Sequence, residues 1–195
     1  MRNIYYKIVF AFTISLIYAV LRYNVFGNVP WEEFPLYITN KAFSLTIVLI
    51  FLFTIKDNLN SKDRKTFFNT AFFLSILHVF ISFRLLGPEH YSKFYSENEL
   101  NLVGYFTLFF GISALIGILV LRSDNLLPTE NGKLTIPKKL KNVIVIMIPI
   151  FILGHLFSMG ISGWLEPQNW HGFMIPISLV GFFVVLIYLK SIIKK

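Results

Sequence analysis

The stretch 67–83, FFNTAFFLSILHVFISF, is apolar over a length that approaches a bilayer crossing, and it carries one histidine, His78, well inside it. About 20 apolar residues, each rising about 1.5 Å, span the hydrocarbon core. An ionisable side chain at such depth is costly and is a functional-site candidate by default. A second run, 143–160, carries His155 in the same manner. What this chain can do depends on whether the two imidazoles belong to one site.

The rest of the chain is written for the same solvent. It is 55% hydrophobic and 14% charged, with 22 Phe, and its mean hydropathy is +0.66. A soluble domain of 195 residues cannot cover that much apolar surface. There is no cysteine, so disulfides, thiolate zinc sites, iron–sulfur clusters and cysteine nucleophiles are excluded. The usual soft ligands left are four histidines and four methionines.

Apolar runs separated by polar, Gly- and Pro-containing breaks predict an all-α membrane bundle of six transmembrane helices, in one domain covering 1–195. The spans fall at 4–21, 36–55, 66–86, 100–121, 142–162 and 173–189. The first is read as uncleaved, because Leu21, Arg22 and Tyr23 are too bulky for a signal-peptide cleavage site. Gly104, Gly111 and Gly117 lie in the fourth span, where small residues let another helix or a flat cofactor approach.

An even number of spans puts both termini on one side. Of the 18 Lys and Arg residues, 14 fall on that side, leaving Arg22, Lys41, Arg84 and Lys93 on the other. The positive-inside rule makes both termini cytoplasmic, in the cell membrane. The net charge of +8 is then mainly a topology signal. The basic loops are short and flank the spans, so no nucleic-acid partner is expected.

Depth connects the histidines. The third and fifth spans both run outward, His78 lying 12 residues after Thr66 and His155 13 after Asn142. Both imidazoles therefore sit roughly 18–20 Å from the inner edge. Two neutral imidazoles at one level can ligate a metal from opposite sides, and haem iron accepts axial imidazole. Ser75 and Ser82 flank His78, and Gly154 precedes His155. Arg22, Lys41 and Arg84 stand at the outer ends of the first three spans, where they could hold haem carboxylates by charge-assisted hydrogen bonds. Each could equally snorkel to lipid headgroups. His90 and His171, in outer loops near Glu89 and Glu166, read as solvated.

Several segments, in order, are similar to the ferric reductase-like transmembrane family: RYNVFGNVPWEEFPLYITNKAFSL, LSILHVFISF, NLVGYFTLFFGISAL, LGHLFSMGISGWL and PISLVGF. That family includes the haem-binding membrane subunit of the bacterial methionine sulfoxide reductase system. The resemblance implies a six-helix bundle that holds b-type haem and passes electrons across the membrane. Its haem-binding histidines on the third and fifth helices fall on His78 and His155. A further family histidine, about thirteen residues earlier on the fifth helix, is replaced here by Asn142, and Arg64 and Lys65 stand at the inner end of the third span. One haem b is therefore the expectation.

No nucleotide-binding motif follows the last span, so a reductase domain is expected on a separate protein. Electrons would pass between a quinone or a cytoplasmic flavoprotein and an outer or periplasmic acceptor. A quinone or flavin bound near Asn142, Arg64 and Lys65 would bridge the inner half. The competing class is a non-redox transporter or membrane assembly partner whose histidines only pack helices.

Overall fold

The computed structural model describes residues 2–56, 59–123 and 136–193. The basic residues Lys133, Lys194 and Lys195, counted above on the side of the termini, lie outside them. Among the described residues, six helices are long and apolar enough to cross a membrane. They are α1 (Arg2–Ala19), α2 (Thr39–Lys56), α3 (Ser61–Arg84), α4 (Leu102–Ser123), α5 (Lys138–Trp164) and α6 (Ile177–Ile193). The only sheet among the described residues is a hairpin, β1 (Tyr95–Ser96) with β2 (Glu99–Leu100), before α4. Its tip, Glu97 and Asn98, takes positive φ at both residues, as a tight two-residue hairpin turn requires.

Two ends differ from the expected spans for local reasons. α3 begins at Ser61, ahead of Thr66, because Asn60 caps it: its Oδ1 accepts from the Asp63 N–H at 2.8 Å. Lys62, Arg64 and Lys65 are therefore helical. At the other end of the bundle, α1 runs on through a π-type turn, Val20–Val25, and α2 is preceded by another, Phe34–Ile38. Such wide turns shift the register of the residues they carry. Here they re-aim Arg22, Tyr23 and Tyr37. α5 passes through Pro149, which removes one backbone bond to the preceding turn.

Packing orders the helices in a ring. α3 lies beside α2, α2 beside α6, α6 beside α5, α5 beside α4, and α4 touches α3 lightly; α1 lines the outside of α2. α3 and α5, the histidine helices, sit across the ring from each other. The buried core includes Phe67, Ile38 and Ile50. Large apolar side chains such as Phe80 (71% exposed) and Phe109 (58%) point away from the bundle. In water such a surface would aggregate; against lipid it is the expected exterior. Near the α4 C-terminus, the Arg122 guanidinium donates to Asn69 Oδ1 at 2.8 Å and lies 4.2 Å from the Phe72 ring centre, tying α4 to α3.

The charge asymmetry carries an expectation of orientation that reporter fusions test. Reporters fused after Lys195 and within the 88–98 loop are expected on opposite sides of the membrane, the tail reporter cytoplasmic. Both on one side would undo the six-span count and the matched depth built on it.

Candidate metal centre

His155 projects from α5 onto α4. Its Nδ1 donates to the Thr107 carbonyl oxygen at 2.9 Å. That carbonyl is reachable because of Gly111. A helical side chain tilts toward the N-terminus and covers the turn before it, so a side chain at 111 would shield the carbonyl of 107. A Cβ at Gly111 would stand 2.9 Å from His155 Nδ1. Gly154 does the same from the other side: a Cβ there would meet the Phe110 ring at 2.8 Å. The two glycines bring α4 and α5 close enough for an imidazole to reach backbone.

His78 projects from α3 toward α2. Its Nδ1 lies 2.7 Å from Asn40 Oδ1. The Asn40 amide donates in turn to Ser82 Oγ at 2.9 Å, one turn after His78 on the same helix face. Asn40 is only 1% exposed. A polar side chain buried in a span must be hydrogen-bonded, and this one is, through both ends of its amide.

These partners fix the protons. A backbone carbonyl can only accept, so the neutral His155 ring carries its hydrogen on Nδ1 and keeps the Nε2 lone pair. The Asn40 amide, with its nitrogen turned to Ser82, presents oxygen to His78 and selects the same tautomer. Two neutral imidazoles, each oriented by an acceptor at Nδ1, form the usual arrangement of metal-binding histidine. Among the described residues no group of three or more His, Asp or Glu side chains gathers anywhere. Two protein ligands alone leave a metal ion under-coordinated, whereas haem iron brings four nitrogens and takes two axial ligands. Two neutral imidazoles are a donor set of the kind that haem iron would accept.

The cations divide. Lys41 is enclosed by aromatic rings, its Nζ 4.8 Å from the Tyr37 centre, 5.0 Å from Tyr91 and 5.8 Å from Tyr23. Arg22 is buried, and one guanidinium nitrogen donates to the Met174 carbonyl. It ties the end of α1 to the segment before α6. Arg84 is exposed as the last residue of α3. Lys93, which sequence reasoning left among the loop residues, donates to the Met159 carbonyl, one turn beyond His155. Desolvation, with the charge of Lys41 second, brings its ammonium down to about 8.

The loop histidines go elsewhere. His90 Nε2 pairs with Glu33 at 3.1 Å, rather than with Glu89, and its ring stacks on Tyr37. His171 is exposed and lies edge-on to Tyr23. Arg64, Lys65 and Asn142 are exposed. Sequence reasoning missed Asn40, Thr107 and Lys93. Asn40 offered one signal, an amide just inside an apolar span; Thr107 offered none, because its contribution is backbone.

No family model, curated protein or solved structure matches this chain.

Proposed function

We propose that this multi-pass membrane protein carries electrons, holding one b-type haem between α3 and α5 through the Nε2 atoms of His78 and His155. The observation that carries the reading is the pair of Nδ1 bonds, to Asn40 Oδ1 at 2.7 Å and to the Thr107 carbonyl at 2.9 Å, which leaves both Nε2 lone pairs for a metal. When bound, the haem supplies a one-electron couple whose potential follows axial ligation and burial. The protein's part is to hold the two rings, fix their tautomers and keep water from the iron. Lys41 is the cation best placed to meet a haem carboxylate on the side away from the termini. In this reading the chain is related to the ferric reductase-like transmembrane family and lies in the cytoplasmic membrane with both termini inside. Its electrons come from a quinone or a cytoplasmic flavoprotein and leave to an outer or periplasmic acceptor.

Purified from membranes, the protein is expected to be red, with a split α-band region or sharpened α-band on reduction. A pyridine haemochrome assay is expected to give one haem per chain. Two haems would reveal a second ligand pair. A colourless protein, after expression with ample haem, would end the redox reading in favour of a transporter or assembly partner whose histidines pack helices.

A further inference from the structure

The two histidines are held by acceptors of different kinds. His155 donates to a backbone carbonyl, whose strength no side-chain substitution changes directly. His78 donates to the side chain of Asn40, on a neighbouring helix. The second bond of Asn40, to Ser82 Oγ at 2.9 Å, stops the amide from rotating. The π-type turn Phe34–Ile38 sets the register in which α2 starts, and Asn40 is the second residue of α2. One amide therefore clamps two positions of α3, and the oxygen end faces the ring.

We propose that Asn40 is the positioning residue of this site: through the His78 Nδ1 bond it fixes the ligating tautomer and sets how strongly His78 donates to the metal, and so its reduction potential. The inference rests on the haem reading above. A stronger acceptor at Nδ1 gives the imidazole more imidazolate character and makes Nε2 a better donor. A better donor stabilises the oxidised metal and lowers the potential. A neutral amide is an acceptor of middle strength, so Asn40 holds the couple between two extremes that substitution can reach. Asn40→Asp keeps the shape, adds negative charge and strengthens the acceptor; Ser82 can still donate its hydroxyl to it. Asn40→Leu removes the acceptor and leaves Nδ1–H without a partner.

The test is a spectroscopic redox titration of the purified haem-loaded protein in lipid nanodiscs, comparing wild type, Asn40→Asp and Asn40→Leu. At a solution potential equal to the wild-type midpoint, Asn40→Asp is expected to lower the reduced-to-oxidised ratio by at least about tenfold, about 59 mV for one electron. Asn40→Leu is expected to raise it. The electron paramagnetic resonance spectrum of oxidised Asn40→Asp should move toward that of a stronger axial donor. A purely structural role would shift both variants in one direction, or neither, and would overturn the inference. Should Asn40→Leu fail to fold or lose haem, Asn40→Asp decides: an unchanged potential, or loss of haem from this isosteric variant, refutes the tuning role. Wild-type protein without haem would instead overturn the functional reading, and the inference with it.

Discussion

His78→Ala and His155→Ala are each expected to abolish stable haem binding, while His90→Ala and His171→Ala keep the wild-type content. The contrast follows from surroundings rather than residue type. His78 and His155 are in membrane spans, each with Nδ1 committed to a fixed oxygen, so in the proposed reading alanine would remove an oriented metal ligand and open a space in its place. His90 is engaged by Glu33 and Tyr37, and His171 is exposed; both lie outside the apolar runs. Loss of one axial ligand leaves iron held from one side, which costs far more than a typical surface substitution. Added imidazole is expected to restore part of the absorbance in the alanine variants by entering the vacated space, which separates ligand loss from misfolding. Wild-type haem content in either deep variant would end the assignment of that histidine.

Gly111→Ala is expected to weaken haem binding although the glycine carries no functional group. The new methyl would stand 2.9 Å from His155 Nδ1, closer than such atoms tolerate, so the imidazole must move off the Thr107 carbonyl. A hydrogen bond of this kind is worth about 1 kcal/mol net, and a carbonyl or ring N–H left unpaired in an apolar interior costs about 1–3 kcal/mol. Haem affinity should therefore fall roughly tenfold, a factor that corresponds to about 1.4 kcal/mol. Gly117→Ala is the control. It lies two turns along the same helix, and its methyl would meet Ile148 at 2.7 Å, away from the histidine. It should loosen α4 against α5 to a similar degree while leaving haem affinity within about twofold, since no hydrogen bond to the ligand is lost. Equal losses in the two variants would mean that Gly111 serves helix packing alone.

The number of spans and the approximate position of each were legible in the chain, because a membrane span is a local property: enough apolar residues in sequence, at a constant rise, with polar breaks between them. All six expected spans have a matching long apolar helix. The ends were less legible. The Asn60 cap starts α3 at Ser61, and the π-type turns at Val20–Val25 and Phe34–Ile38 straddle the expected ends of the first and second spans. Caps and wide turns depend on a few hydrogen bonds that average hydropathy does not register.

The depth of His78 and His155 could likewise be counted from sequence, since depth along a helix is residue number times rise. What each imidazole touches could not. That depends on the rotation of a helix about its axis and on which helices stand beside it, and both are settled by packing among small residues and polar pairs. Only the folded bundle brings Asn40 of α2 to His78, and only Gly111 and Gly154 together let His155 reach the α4 backbone. The same limit governs the cations. Arg22, Lys41 and Arg84 look equivalent as span-end charges, yet one ties α1 to the Met174 carbonyl, one is caged by three tyrosines, and one is exposed. Lys93 reaches the Met159 carbonyl from 66 residues away. The sequence by itself determined the solvent and the spans, which follow from order along the chain; the tertiary structure alone decided the hydrogen-bond partners of the two imidazoles, because those come from residues that are distant in sequence and adjacent only through helix packing.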